Sequence, residues 1–222
     1  MVPAFLIMAL ASWYVNSTFS KWSKVRARSG LTGAQAAERL IYNGGLTGVQ
    51  VAGTSGNLSD HYDPRNKTLF LSQNVANVPS IASVAVAAHE LGHAQQDADG
   101  YFPLRFRAAL VPMVSIGTNL GWIMILAGLM LRLTNLAWLG VLVFSGGAIF
   151  ALATLPVEIN ASARAKRLLA ETGIIAGEDE QRGVNTVLNA AALTYVAGAI
   201  TSILQLLYYV LLIGGMGGRR RS

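Results

Sequence analysis

Residues 113–131 and 136–155 contain no charged side chain, and this limits the fold more than any other feature of the chain. A hydrocarbon core takes about 20 apolar residues to cross as a helix, and a backbone in lipid has to satisfy its own hydrogen bonds. Spans are therefore expected at about 110–131 and 136–155, with two further candidates at 2–19 and 191–213. The first is followed by Lys21, Lys24, Arg26 and Arg28. A secretory signal carries its charge ahead of the apolar stretch, so 2–19 reads as a retained anchor. The last contains ILQLLYYVLLI, apolar nearly all round, which favours a span over a buried amphipathic helix. Composition agrees: 53% of the 222 residues are hydrophobic and 13% charged, against about a quarter charged in a soluble domain. The net charge of +6 comes from basic residues flanking apolar segments, not alternating with aromatics. It reads as membrane-orienting charge, and no nucleic-acid partner is expected.

Between the first two spans, 21–109 has the patterning of a soluble insertion. Residues 31–42, LTGAQAAERLIY, have helical spacing, with Thr32 as N-cap and Asn43-Gly44-Gly45 as the stop. Residues 49–52 alternate like a strand. Residues 58–62 and 67–72 read as two strands joined by Asp63-Pro64-Arg65-Asn66, where proline at the second position suits a type I turn. A small sheet is thus expected in this insertion.

The insertion also holds HELGH, His89 to His93. The apolar run IASVAVAA before it reads as a buried helix leading into the motif, and Gln95, Gln96, Asp97 and Asp99 mark its exposed end. On that helix His89 and His93 stand one turn apart and present two imidazoles on one face, as a zinc ion requires, and Glu90 falls beside them as a general base for water. Gly92 leaves room for another backbone or a ligand to approach. Only three histidines occur in the chain, which makes a chance pair at this spacing uncommon. With no cysteine, disulfides, thiolate ligands and cysteine nucleophiles are excluded, and a metal has to use histidine, carboxylate or water.

A catalytic zinc site needs a third protein ligand and one open position. His61 offers a nitrogen, although Asp60-His61-Tyr62 reads as strand beside a turn. Glu158 is the stronger candidate, directly after the third span and Pro156, in TLPVEINASARA. Two spans separate His93 from Glu158, so both emerge on the same side of the membrane. Lys21 to Arg28, Arg105, Arg107, Arg164, Lys166 and Arg167 load that side with positive charge, which makes it cytoplasmic and puts the N-terminus and the Arg132 loop outside. The tail Arg219, Arg220 and Arg221 then falls outside, against the rule.

Together AAHELGHAQQD, SDHYDPRNKTLFLS, TLPVEINASARA and VLNAAALTYVAGA resemble the YugP-type membrane zinc metallopeptidases, a bacterial family, in order and spacing over nearly the whole chain. The layout is more distantly similar to HtpX-like and CAAX prenyl proteases. The resemblance implies zinc held by His89, His93 and Glu158, with Glu90 as catalytic base. It also implies an edge strand near 58–62 that pairs with an extended substrate. One departure stands out: the HtpX-like pattern runs E-x-x-A-D, whereas Glu158-Ile159-Asn160-Ala161-Ser162 ends in serine. The carboxylate that would orient a ligating histidine is absent there, leaving Asn160, Ser162 or a residue elsewhere for that task.

The expected architecture is a mainly α integral membrane protein with about four transmembrane helices and a cytoplasmic, zincin-like α+β insertion carrying a small sheet and the HExxH helix. Its parts are an anchor (1–20), a metallopeptidase insertion (21–109), a transmembrane hairpin (110–156), a cytoplasmic segment with the third ligand (157–190), and a final span with the basic tail (191–222). The expected activity is zinc-dependent endopeptidase cleavage at the cytoplasmic surface of a bacterial cell membrane. Its substrates would be peptides or proteins, membrane proteins included, in quality control or processing. His61 and Tyr195 are candidates for oxyanion or substrate contacts. Each also has a plain structural reading, as a strand residue and an interfacial aromatic. Arg164 either holds Glu158 or a substrate carboxylate, or lies on a solvated basic face. The alternative function is an inactive membrane scaffold or metal-binding pseudo-protease. A transporter finds little support, since no span carries a paired charge.

Overall fold

A computed structural model describes residues 2–218, so Arg219, Arg220 and Arg221 lie outside the described residues. In chain order the elements are α1 (Val2–Trp22), α2 (Gly33–Asn43), β1 (Gln50–Thr54), β2 (His61–Asp63), β3 (Thr68–Ser72), α3 (Gln73–Ala76), α4 (Ile81–Ala98), α5 (Phe102–Met130), α6 (Thr134–Glu171) and α7 (Glu178–Gly218). Among them α1, α5, α6 and α7 are long and apolar enough to cross a membrane. The fold is therefore mostly helical with one small sheet. It divides into two compact units, one of Met1–Leu10, Arg105–Pro156 and Tyr195–Ser222, the other of Ala11–Leu104 and Val157–Thr194.

In the first unit, α5 and α6 form a hairpin whose backbones touch. A Cβ built on Gly128 would lie 2.5 Å from the Ala137 nitrogen, a separation only glycine permits. Small residues at such crossings are how helices pack when lipid removes the hydrophobic drive between them. Ile125, Ala137, Val141, Phe144, Tyr209 and Ile213 form the buried cluster beside it.

The second unit has a conventional apolar core. Helix α2 begins where expected: the Thr32 hydroxyl accepts from Gln35 N–H and the Gln35 side chain accepts from Thr32 N–H, a reciprocal cap. Its inner face, Ala36, Ala37 and Leu40, is fully buried. In the sheet, order β1-β3-β2, the central β3 pairs parallel with β1 and antiparallel with β2. The β2–β3 connection is a turn in which the Asp63 carboxylate accepts Arg65 N–H and the Asn66 side chain accepts Thr68 N–H. Strand β2 is shorter than 58–62 implies, because Leu58 takes φ 52°, a left-handed conformation that interrupts extended backbone.

Two helices outrun their apolar stretches. Helix α6 continues through Pro156 to Glu171, well beyond the expected end of the third span. Proline removes one N–H donor from the helix ladder, but the following turns bury Val157, Ala161, Ala165, Leu168 and Leu169 on one face. That stripe has helical spacing and outweighs one lost hydrogen bond. Helix α7 likewise starts at Glu178, ahead of 191. Glu178, Asp179 and Glu180 fill its first turn, where the helix dipole favours negative charge, and Val184, Val187 and Leu188 pack into the core.

Candidate metal centre

Helix α4 is capped by Ser80, whose hydroxyl accepts Ser83 N–H at 3.1 Å, and runs without interruption through HELGH. His89 and His93 come out one above the other, ring centroids 5.0 Å apart and nearly perpendicular. Helix α6 crosses them at Gly92: a Cβ there would lie 2.4 Å from the Ala161 carbonyl oxygen. The glycine does make room for a backbone, and the backbone is that of α6. One turn earlier on α6 is Glu158, only 2% exposed.

The three side chains converge. Glu158 Oε2 lies 3.2 Å from His89 Nε2 and 3.5 Å from His93 Nε2, and the three possible ligand atoms are within 4.8 Å of one another. Neighbouring ligands on a tetrahedral zinc with bonds of about 2.0–2.1 Å stand about 3.3 Å apart. The donor set, two imidazole nitrogens and one carboxylate oxygen, and its spacing therefore fit such an ion.

The outward nitrogens of both rings are engaged. His89 Nδ1 is 3.2 Å from Ser162 Oγ, so serine occupies the place where the related pattern has aspartate. His93 Nδ1 is 3.0 Å from Gln96 Oε1. The Gln96 amide nitrogen donates to the Val157 carbonyl at 2.8 Å and to Asn160 Oδ1 at 2.9 Å. Gln96 is 0% exposed, a correction to its expected place on the exposed end of the helix. Three residues after His93, it lies on the same inward face.

Glu90 is half-buried beside the pair. Burial pushes its carboxyl above the usual range, the two imidazoles pull the other way, and the Glu158 and Asp60 carboxylates add to the rise. A carboxylate raised towards neutrality is a better proton acceptor for catalysis than an ordinary one. Burial works to lower the His93 pKa, but its contact with Glu158 and the charges of Glu90 and Glu158 leave it raised.

Each of the other candidates has its own setting. His61 is exposed on β2, its Nδ1 donating to the Ser59 carbonyl at 2.8 Å and its ring stacked on Phe70 at 4.9 Å. It is not one of the three converging groups. Tyr195 belongs to the first unit, on α7, and is 37% exposed. Arg164 is neither on a solvated face nor given over to Glu158: its side chain is 13% exposed, donates to Asn160 Oδ1 at 2.8 Å and pairs with Asp99. Its guanidinium also lies over the Tyr101 ring. Sequence reasoning missed Gln96. Its helical offset from His93 was the available signal.

Comparison with known proteins gives the family. Residues 1–214 match the family described as "Putative neutral zinc metallopeptidase". The chain is 44% identical over 202 residues to the "Putative membrane protease YugP" of Bacillus subtilis, covering 91% of this chain and 89% of that protein. No solved structure matches. A family match over nearly the full length, on a chain whose structure brings two histidines and a glutamate of the expected motifs together, makes this protein a member of the neutral zinc metallopeptidase family.

Proposed function

We propose that this chain is a membrane-embedded zinc endopeptidase that hydrolyses peptide bonds at the cytoplasmic membrane surface. The observation that carries the proposal is the convergence of His89, His93 and Glu158 beside the half-buried Glu90. His89 Nε2, His93 Nε2 and Glu158 would hold the ion. Zinc, when bound, supplies Lewis acidity for a scissile carbonyl and a lower pKa for the attacking water. The chain's own work is then assigned: Glu90 takes the proton of that water and delivers it to the leaving amine.

The small sheet supports a zincin-like arrangement. Strand β2 is an edge, tethered to the motif helix where the Tyr62 hydroxyl donates to Asp97 at 3.0 Å. An extended peptide would add to that edge through main-chain hydrogen bonds. Along α6, Glu158 follows the uncharged stretch ending at Leu155 by three residues, about 4.5 Å of helix rise. Substrates close to the bilayer, membrane proteins and their cytoplasmic ends in quality control or processing, fit a site so near an apolar segment. The cytoplasmic assignment rests on the basic residues that flank the spans on that side.

The test is metal content together with cleavage of an unstructured protein, measured on the wild type and Glu90→Gln. Zinc content should be unchanged and turnover lost in the variant. Equal turnover would remove Glu90 from the mechanism, and a wild type that retains no zinc would remove the metal.

A further inference from the structure

We propose that Gln96 is a positioning residue for the metal site: its buried amide holds the proton of His93 on Nδ1 and so leaves Nε2 bare to bind a metal ion. This rests on the metallopeptidase reading for the identity of what binds at Nε2. The Nδ1 proton follows from the hydrogen bonds of Gln96, and Nε2, 3.5 Å from Glu158 Oε2, is the nitrogen left facing the other prospective ligand.

An imidazole can act as a ligand through Nε2 only if its proton sits on Nδ1. Nε2 of both rings faces the Glu158 carboxylate, so what distinguishes the two histidines is the character of the group facing Nδ1. At His89 that group is the Ser162 hydroxyl, which rotates and either donates or accepts, so it selects nothing. At His93 the group is an amide, whose two ends differ. The nitrogen end of Gln96 faces the Val157 carbonyl and Asn160 Oδ1. The carbonyl can only accept. Asn160 Oδ1 is identified as oxygen because the Arg164 guanidinium donates to it at 2.8 Å. Turning the Gln96 amide over would set its oxygen against both acceptors, and with Gln96 0% exposed no solvent is at hand to relieve the conflict. The oxygen end is thereby committed to His93 Nδ1, and an oxygen that only accepts requires N–H there.

Four side chains thus form a directed chain, each step fixing the next: Arg164 orients Asn160, Asn160 with the Val157 carbonyl orients Gln96, and Gln96 fixes His93. The sequence shares out the task that a single carboxylate performs in other zinc sites. Outer partners of this kind typically carry 10–100-fold in metal affinity.

The experiment uses the full chain in detergent micelles. Nitrogen-15 spectra of the histidines, recorded metal-free at a pH where imidazole is neutral and assigned with single His→Asn variants, read which nitrogen of His93 bears the proton. Zinc affinity is measured by chelator competition on the wild type, Gln96→Met and Gln96→Glu. We expect Nδ1–H at His93 in the wild type. Gln96→Met should show Nε2–H gaining population and zinc affinity falling by roughly 10–100-fold. Gln96→Glu, which as a neutral acid can still accept from His93 and donate to Val157, should recover most of the loss. A wild-type His93 carrying its proton on Nε2 overturns the proposal, and so does zinc affinity in Gln96→Met within twofold of wild type. If Gln96→Met does not fold, the wild-type spectrum decides alone. A wild type with Nδ1–H that takes up no zinc would overturn the metallopeptidase reading and not the tautomer assignment.

Discussion

Gly92 and Ala161 hold α4 and α6 in backbone contact: a Cβ on the glycine would come within 2.4 Å of the alanine carbonyl oxygen. The contact falls between the two histidines on one helix and three residues after Glu158 on the other, so it sets the distance across which the three ligand candidates meet. In an isolated helix Gly→Ala gains up to about 1 kcal/mol of helix propensity. Here overpacking costs roughly 1–3 kcal/mol, and a backbone carbonyl cannot swing aside as a side chain can. Gly92→Ala should therefore lower the Tm despite the better helix former, and weaken zinc binding in the same variant by separating Glu158 from the imidazoles. Thermal melts paired with chelator competition check this; a rise in Tm with unchanged zinc affinity would contradict it.

Glu158 and His61 were rival third ligands on sequence grounds, and the geometry separates them. Glu158 Oε2 lies within 3.5 Å of both imidazoles, whereas the His61 ring is taken up by Ser59 and Phe70. Glu158→Gln keeps the shape and removes the charge, and should reduce zinc affinity by more than the roughly 10–100-fold that loss of an outer partner costs. His61→Asn should bind zinc as the wild type does. Full zinc occupancy in Glu158→Gln, with loss in His61→Asn, would reverse the assignment.

The legible parts of this molecule were those written in local chemistry. Absence of charge marked the spans, the Thr32–Gln35 pair marked the start of α2, and HELGH marked two imidazoles one turn apart. The parts that were missed depend on what one helix does to another. Pro156 reads locally as a break, but Val157, Ala161 and Ala165 are buried at intervals of four and keep α6 helical against the core. Gln96 reads locally as polar surface, and becomes interior because α6 brings Val157 and Asn160 over it. Arg164 looked like solvated charge for the same reason: one partner, Asn160, is a turn earlier on its own helix, but the other, Asp99, is the residue that caps the end of α4. Nor does a strand pattern say which neighbour a strand takes, so the parallel pairing of β1 with β3 was not predicted.

Glu180 should prove a structural carboxylate. It is 3% exposed, its Oε1 accepts Arg28 N–H at 2.7 Å and its Oε2 accepts Ala176 N–H at 2.9 Å. It thereby joins the segment after α1 to the start of α7. Glu180→Gln turns one of those acceptors into a donor facing a donor. A buried hydrogen bond to a charged group is worth about 1.5–3 kcal/mol, and the variant should lose stability on that scale in denaturant unfolding while its zinc affinity stays near wild type. Unchanged stability would mean that solvent reaches these N–H groups.

Tyr62 predicts an alkaline limit to the stability of the sheet-bearing unit. Burial raises its pKa first, and the hydrogen bond to Asp97, the Asp97 charge and then Asp63 raise it further, so the phenol stays protonated well beyond the usual tyrosine range. Where the folded pKa exceeds the unfolded one, the folded chain keeps a proton that the unfolded chain releases. The contribution is therefore whole below the unfolded value of about 10 and is lost as pH rises through the folded value. Unfolding midpoints recorded from pH 8 to 11 should fall with pH in the wild type, other tyrosines contributing to both proteins alike. Tyr62→Phe should start lower at pH 8, by about 0.5–1.5 kcal/mol for the lost hydrogen bond, and decline less steeply, so that the two curves approach each other. Parallel curves would mean that the phenol titrates alike in both states. A larger loss of peptidase activity than of stability in Tyr62→Phe would further support β2 as the strand on which substrate is laid, since the hydroxyl ties that edge to the helix of His89 and His93.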